Sequence, residues 1–161
     1  MKKILVAYFS ATQSTKKLAT TLASVTDADI YEIKPEIPYT KKDLNWMDTN
    51  SRSSIEMKNK TYRPSIIGKV DTMDTYDTIF IGFPIWWYVA PTIINTFLEQ
   101  YNLNGKTIIP FATSGGSGMG NTNKELKDSC KGAILLEGKV FKSNTREEAL
   151  KKWIEQNKIG A

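Results

Sequence analysis

The chain has 161 residues, a net charge of +5, one cysteine and no histidine. This length predicts a single domain over residues 1–161, with a core large enough to need no disulfide or metal. Zinc sites and catalytic triads that use histidine are excluded, and Cys130 has no partner for an internal disulfide. We expect Cys130 to be a small buried residue rather than a reactive thiol.

Lysines are scattered along the chain and form no basic block. Nucleic-acid-binding proteins gather such residues into stripes with aromatic side chains between them, so we predict no nucleic-acid partner. No run approaches the ~20 apolar residues of a membrane span, and the apolar run after Met1-Lys2-Lys3 is too short for a secretory signal. The sequence predicts a soluble cytoplasmic protein with no membrane partner, and its positive charge favours an acidic protein partner.

Short apolar runs alternate with helical patterns along the chain. Strands are predicted over residues 4–9, 30–33, 78–83, 107–112 and 133–141, the last with a bulge at Gly138. Helices are predicted after the first, third, fourth and fifth strands, with capping-box spacing at Thr122/Glu125 and at Thr145/Glu148. This alternation predicts an α/β fold with a mostly parallel five-stranded sheet and helices on both faces.

The segment over residues 34–70 interrupts this alternation. It is polar, and its only helical pattern, over 41–57, is weak. We predict that this segment is an excursion across the surface.

Ligands of such sheets bind beyond the carboxyl ends of the strands. The first loop, residues 10–15, brings four hydroxyl groups and consecutive backbone amides to the start of a helix, which predicts an anion site. The loop contains no lysine or arginine, so neutral donors would bind a phosphate there. Ordinary helix capping explains one or two of the hydroxyls but not four.

The loops after the third and fourth strands differ in composition. Residues 84–91 hold three consecutive aromatics, Trp86, Trp87 and Tyr88, which cannot all face one core. At least one should be exposed where it can stack on a flat ring, while core packing accounts for the others. Residues 113–120 hold four glycines in six positions, and their backbone can form a wall beside a planar ligand. A flexible surface loop is the competing interpretation.

Three segments carry a resemblance to a known family: residues 8–15 read YFSATQST, residues 82–87 read GFPIWW and residues 113–118 read TSGGSG. In this order and spacing they resemble the flavodoxin family, and more narrowly its short flavodoxin-like members. The resemblance spans essentially the whole chain. It implies a three-layer, doubly wound sheet of order 2-1-3-4-5 and one non-covalently bound flavin mononucleotide (FMN).

In that family the first loop binds the flavin phosphate, and the other two loops surround the isoalloxazine ring. The resemblance thereby implies these cofactor-binding residues: Ser10, Thr12, Gln13, Ser14, Thr15, Pro84, Ile85, Trp86, Trp87, Tyr88, Thr113, Ser114, Gly115, Gly116 and Gly118.

Some features depart from the family pattern or extend it. Gln13 stands where many members have glycine. No glycine lies between Pro84 and Pro91, so a peptide flip beside the flavin that needs a positive φ should be harder. The stretch over residues 43–56 also looks like a segment of these relatives, which implies a position near the flavin rim or in a subunit contact.

The resemblance implies a low-molecular-weight electron carrier that acts with redox partner proteins, as a monomer or weak homodimer. The alternative is an FMN-dependent NAD(P)H:quinone-type oxidoreductase, in which the flavin does the chemistry and no catalytic acid or base need appear. The aromatic middle loop favours a covered ring and hence the carrier. A scaffold that has lost its flavin would not need the hydroxyls of the first loop.

Overall fold

The computed structural model has a six-stranded parallel main sheet, and it describes residues 3–157 and 159. Its strands are β1 (Ile4–Tyr8), β2 (Asp29–Glu32), β5 (Thr78–Pro84), β6 (Thr107–Thr113), β7 (Ile134–Leu135) and β8 (Lys139–Val140). A separate antiparallel pair consists of β3 (Lys34–Pro35) and β4 (Ile66–Ile67). The helices are α1 (Ser14–Thr26), α2 (Arg52–Lys58), α3 (Thr92–Glu99), α4 (Thr122–Leu126) and α5 (Glu147–Gln156).

The strand order of the main sheet is β2-β1-β5-β6-β7, with β8 also paired to β6. The five predicted strands therefore lie in the predicted order 2-1-3-4-5. The strand numbers shift because the sequence did not reveal β3 and β4, and because the fifth strand is split into β7 and β8. From Thr107 to Phe111 there are four steps along β6, but the paired positions Ile134 and Lys139 are five steps apart. This one-residue excess is the bulge predicted near Gly138.

Side chains of the central strands alternate between two cores, because successive residues of a strand point to opposite faces. Leu5, Ala7 and Phe9 face a core that α3 and α4 cover. Val6 and Tyr8 face a second core that α1 and α5 cover. The predicted three-layer arrangement, with helices on both faces, is confirmed. Of the helices in the described residues, none is long and apolar enough to cross a bilayer.

Helix ends depart from the predicted caps. The N-caps of α4 and α5 are Asn121 and Arg146, and neither side chain accepts a capping hydrogen bond. The hydroxyls of Thr122 and Thr145 instead donate to the carbonyls of the residues three positions earlier. Both predicted capping boxes are therefore wrong. The spacing of Thr and Glu does not determine which bond the Thr hydroxyl forms, and here carbonyls of the preceding loop accept it.

The excursion over residues 34–70 is more ordered than its pattern indicated. Strands β3 and β4 close its base, where the Glu36 amide donates to the Ser65 carbonyl at 2.9 Å. The weakly predicted helix over 41–57 is limited to the seven residues of α2, which begins after Ser51, and the Ser51 hydroxyl accepts from the Ser54 amide. Polar residues of α2 are buried, so the excursion is not only a surface feature.

Cys130 lies in a 3-10 turn, Lys127–Cys130, directly after α4. Its thiol is buried, and burial raises the pKa of the thiol. A thiol with a raised pKa is a weaker nucleophile at neutral pH. The prediction of a buried structural cysteine is confirmed.

Candidate functional site

Two clefts meet at the carboxyl ends of β1, β5 and β6. The first, about 680 Å³, is called here the polar cleft and is lined by Thr12, Ser14, Lys17, Pro84, Ile85, Trp86, Thr113, Ser114, Gly115, Phe141, Lys142, Ser143 and Asn144. The second, about 640 Å³, is called the aromatic cleft and is lined by Leu44, Trp46, Ser53, Ile85, Trp86, Trp87, Tyr88, Ser114, Gly115, Gly116 and Ser117. Four lining residues are common to both, so the clefts form one elongated surface.

The polar cleft lies at the start of α1. In the described part of the chain, the backbone amides of Thr12, Gln13 and Thr15 have no hydrogen-bond acceptor. A helix N-terminus with free amides carries a partial positive charge and binds anions. Lys17 and Lys142 also border the cleft, so cations are present although the loop itself contains none.

The three loops of the site are tied to one another by hydrogen bonds. Thr15 is buried, and its hydroxyl is 2.8 Å from that of Thr113 at the end of β6. The Thr113 carbonyl accepts from the Ile85 amide at 2.9 Å. Thr15 and Thr113 therefore hold the first loop and the third loop in a common position, and the Thr15 hydroxyl is already engaged within the protein.

Trp87 and Tyr88 form the tip of a tight hairpin. The Trp86 amide donates to the Val89 carbonyl at 2.9 Å, and the Val89 amide returns a bond to the Trp86 carbonyl at 3.2 Å. Trp87 and Tyr88 have φ of 50° and 66°, the arrangement of a type I′ turn, which usually needs glycine or asparagine. Trp87 and Tyr88 thus adopt positive φ although neither is glycine, and the expectation that a peptide flip is harder here stays a prediction. Such backbone strain is concentrated at functional sites.

A close contact on the third loop holds this hairpin. The Asn121 amide donates to the Tyr88 carbonyl at 3.0 Å. Gly120 has a φ of +53°, and a Cβ added there would overlap the Tyr88 carbonyl oxygen. Residue 120 must be glycine because its φ is positive and because a Cβ would overlap the Tyr88 carbonyl oxygen. The position of the hairpin depends on this glycine.

The three aromatics of this loop have different surroundings. Trp86 packs edge-on against Phe9, with ring centroids 5.8 Å apart, and against Tyr39, at 5.5 Å. Trp87 and Tyr88 are 43% and 65% exposed. The expectation that core packing accounts for only part of the aromatic run is confirmed.

The excursion forms the opposite wall of the aromatic cleft and is anchored by a buried charge. The Glu56 carboxylate accepts from the Tyr39 hydroxyl at 2.5 Å and from the Arg52 guanidinium at 2.9 Å. The guanidinium also lies 3.8 Å from the centre of the Tyr39 ring. Burial, together with the bond to Glu56, raises the pKa of Tyr39, so its hydroxyl stays protonated and donates. Through Tyr39 this cluster positions Trp86.

The backbone of the third loop supplies a further wall. The Ser114 hydroxyl accepts from the Gly116 amide at 3.1 Å and from the Ser117 amide at 2.8 Å, which fixes the turn. At Gly115 and Gly116, an added Cβ would meet no atom within 4 Å, so the backbone faces open space. A planar ligand in the aromatic cleft can approach this backbone directly.

The structure brings most of the predicted cofactor-binding residues together. Eleven of them line the two clefts: Thr12, Ser14, Pro84, Ile85, Trp86, Trp87, Tyr88, Thr113, Ser114, Gly115 and Gly116. Ser10, Gln13, Thr15 and Gly118 line neither cleft, and their assignment stays a prediction. The Ser10 hydroxyl is used within the loop, where it accepts from the Lys16 amide and donates to the Thr12 carbonyl.

Sequence reasoning missed two groups of lining residues. Residues 142–144 follow the fifth strand, and the rule that ligands bind at the carboxyl ends of strands would have included them had it been applied to every strand. Leu44, Trp46 and Ser53 lie within the stretch 43–56, for which the resemblance left two positions open. The structure places these residues in the wall of the aromatic cleft.

Comparisons with known proteins agree with this geometry. A family model described as Flavodoxin matches residues 3–157. A structure described as a flavoprotein from Bacteroides eggerthii is 46% identical, with a TM-score of 0.93, and the match covers 99% of each chain. One from Bacteroides uniformis is 47% identical, with a TM-score of 0.90, and covers 96% of this chain and 98% of that one.

A more distant structure, a flavoprotein from Lactobacillus acidophilus in complex with FMN, is 24% identical, with a TM-score of 0.69. It covers 95% of this chain and 99% of that one, and at this identity it shows the fold alone. No curated protein sequence matches the chain. The match of the family model to nearly the whole chain, with two structures above 40% identity, shows that this chain belongs to the flavodoxin family.

Proposed function

We propose that the chain binds one FMN non-covalently across the two clefts and carries electrons between redox partner proteins. The observation that carries the proposal is the junction of the clefts. One end offers the free Thr12 amide, hydroxyl-bearing residues and lysines, the other offers aromatic walls, and the two share lining residues. FMN has a matching arrangement, because it carries a phosphate at one end and a flat aromatic ring at the other.

The polar cleft suits a phosphate. Thr12, whose amide has no acceptor among the described residues, and Ser14 line this cleft at the start of α1. Hydrogen bonds from neutral donors to a charged acceptor are about twice as strong as those between neutral groups. Lys17 and Lys142 add positive charge at the border, which favours the doubly charged phosphate.

The aromatic cleft suits the isoalloxazine ring. Trp86 to Tyr88 form one wall, and the glycine backbone at 115–116 forms another. When bound, the flavin accepts and releases the electrons, and the chain orients it and limits its contact with water. No acid or base of the protein is needed for this, which agrees with a cleft lined by apolar and neutral groups.

An exposed apolar rim around the aromatic cleft supports the carrier over the enzyme. Trp46 and its neighbour in sequence Met47 are 69% and 73% exposed, and Trp46 lines the same depression as exposed Trp87. Lys58 borders the shallow depression between the two tryptophans. Exposed apolar surface of this kind is typical of a contact site for another protein. A redox partner with an acidic rim around an apolar centre fits it, and this partner, a cytoplasmic location and a monomer or weak homodimer belong to the proposal.

The test is a titration of the purified apoprotein with FMN, followed through tryptophan fluorescence and the visible flavin spectrum. Saturable 1:1 binding is expected, and riboflavin, which lacks the phosphate, should bind more weakly. A reduced nicotinamide cofactor is then added without oxygen. Bound flavin that stays oxidised supports a carrier, whereas rapid bleaching would mean an NAD(P)H-dependent oxidoreductase. No binding of FMN would overturn the proposal.

A further inference from the structure

Helix α2 has its polar residues inside and an apolar residue outside. Ser53, Ser54 and Glu56 are 2%, 4% and 2% exposed, whereas Ile55 between them is 52% exposed. Hydrophobic packing alone would give the opposite arrangement. The buried polar face must therefore serve contacts that an apolar face cannot make.

All but one of these polar side chains have a partner in the protein. The Ser54 hydroxyl is 2.9 Å from that of Ser51, and Glu56 is bound by Tyr39 and Arg52. Ser53 donates its backbone amide to the Asp43 carbonyl at 2.9 Å, but its hydroxyl is buried and has no partner among the described residues. Leaving a buried hydroxyl without a hydrogen bond costs about 1–3 kcal/mol, so such groups are usually satisfied by something.

The position of this hydroxyl indicates what would satisfy it. Ser53 lines the aromatic cleft opposite Trp86 to Tyr88 and the glycine backbone at 115–116. Within the described part of the chain, one other buried side-chain oxygen lacks a partner, that of Thr92 at the start of α3, and Thr92 is not among the residues that line the aromatic cleft. A ligand in the aromatic cleft can thus reach Ser53 but not Thr92.

We propose that the Ser53 hydroxyl forms a hydrogen bond to the pyrimidine edge of the isoalloxazine ring when FMN occupies the aromatic cleft. This inference rests on the proposed function. The pyrimidine edge carries carbonyl oxygens and an N–H, whereas the opposite edge of the ring is a dimethylbenzene. A serine hydroxyl both donates and accepts, so it matches the first edge and not the second. The excursion would then recognise the ring, and the polar edge of the ring would face α2.

The experiment compares Ser53→Ala with Thr92→Val, because each removes one buried, unpartnered hydroxyl. Dissociation constants for FMN and for riboflavin are measured for both variants and for the parent. Ser53→Ala should weaken both ligands by the same factor, about 3- to 10-fold for one hydrogen bond, and should shift the spectrum of the bound flavin. Thr92→Val should leave both constants within about 2-fold of the parent, because Thr92 does not line the aromatic cleft.

A third variant, Ser53→Cys, separates bonding from packing. The thiol fills the space of the hydroxyl but is a weak donor and acceptor, so its ligand affinities should be close to those of Ser53→Ala. Thermal unfolding of the ligand-free protein supplies the second readout. Because the parent hydroxyl has no protein partner, Ser53→Ala should not lower the unfolding midpoint of the ligand-free protein.

Two results would overturn the inference while leaving the proposed function intact. In the first, the parent binds FMN, and the Ser53→Ala variant binds FMN and riboflavin as tightly as the parent does. Water would then satisfy the Ser53 hydroxyl of the parent. The other is a Ser53→Ala variant with a lowered unfolding midpoint and parent-like affinities, which would mean a structural role. If the parent itself fails to bind FMN, the proposed function fails first.

Discussion

The polar cleft and the aromatic cleft are built in different ways. The part of the polar cleft at the start of α1 is local, because Thr12, Ser14 and Lys17 come from one continuous segment. The aromatic cleft is assembled from three segments far apart in the chain, and its excursion wall is anchored by the buried pair Arg52–Glu56 and by Tyr39. One half of the site is therefore a property of local backbone, and the other a property of tertiary contacts.

This difference predicts how each half fails. Damage to the polar cleft should affect only ligands that carry a phosphate, and should leave the fold unchanged. Damage to the anchor of the aromatic cleft should reduce stability and should weaken FMN and riboflavin together. The first three of the four predictions below test this distinction, and the fourth concerns a charge away from both clefts; they run from the largest expected effect to the smallest.

Replacing Glu56 with glutamine should have the largest effect. The side chain of Glu56 is 3% exposed, and replacing its carboxylate with a neutral amide leaves the Arg52 guanidinium without its charge partner. Breaking a buried pair in this way costs about 3 kcal/mol. We expect a decrease of this size in the free energy of unfolding, to be measured by urea denaturation. Affinities for FMN and riboflavin should fall by similar factors, because the excursion wall moves.

The control for Glu56 is Lys60→Ala, which breaks the exposed pair between Lys60 and Glu125. The side chain of Lys60 is 73% exposed, so the change should be within about 0.5 kcal/mol. A Glu56→Gln variant that is as stable as this control would contradict the role given to the anchor.

Gly120→Ala should come second, with a loss of about 2 kcal/mol in unfolding free energy. The new Cβ would overlap the Tyr88 carbonyl, and φ at residue 120 is positive. Gly118→Ala is the matched control, because a Cβ there meets no atom within 4 Å and φ is not positive. Equal stabilities of the two variants, measured by urea denaturation, would show that the hairpin at Trp87 and Tyr88 does not depend on Gly120.

Thr12→Ala tests the polar cleft alone. The hydroxyl of Thr12 lines this cleft, so its removal should weaken FMN by about 10-fold, the size of one hydrogen bond to a charged group. Riboflavin affinity and thermal stability should not change. Thr20→Ala on α1 is the control, because the Thr20 hydroxyl donates to the Lys16 carbonyl and not into the cleft. An equal loss for riboflavin would contradict the placement of the phosphate.

The smallest effect concerns Glu99, away from both clefts. A hydrogen bond from Arg63 lowers the pKa of the Glu99 carboxyl, and the Ser129 hydroxyl donates to the same carboxyl at 2.7 Å. Because the pKa in the folded state is below that in the unfolded state, this stabilisation is present above the ordinary pKa of glutamate and is lost as pH falls through the folded value. The Glu99 side chain is 39% exposed, so at most about 1 kcal/mol is expected.

Glu99→Gln should therefore destabilise the protein slightly at neutral pH and flatten the decline of stability on acidification. Urea denaturation at several pH values measures this. Parent and variant curves that stay parallel down to acid pH would mean that Glu99 makes no such contribution.

Local pattern was sufficient for the central strands and for the part of the polar cleft that the first loop forms. The apolar runs that form β1, β5 and β6 are continuous because both faces of each strand are buried, and a short continuous run carries this information by itself. The first loop was recognisable because its hydroxyls and amides are consecutive in sequence. Lys142 at the border was missed because it comes from the other end of the chain, and Lys17 was missed because it lies just beyond the loop, on α1.

Local pattern failed at the hairpin and in the excursion. No sequence rule places Trp87 and Tyr88 at positive φ, since distant groups, the Asn121 amide and the space at Gly120, help to hold the hairpin. In α2, the apolar Ile55 lies outside and Ser53 inside, which reverses the pattern on which burial predictions depend.

The sequence by itself determined the α/β class and the three loops at the carboxyl ends, because these follow from periodicity and chain direction, whereas the order of the five main strands was implied by the resemblance to the flavodoxin family. Only the tertiary structure decided that residues 43–56 close the aromatic cleft, that Glu56 is buried with Tyr39 and Arg52, and that Ser53 faces the cleft without a partner. The physical reason is that a polar side chain is buried when distant groups satisfy it, and its neighbours in sequence do not reveal those groups.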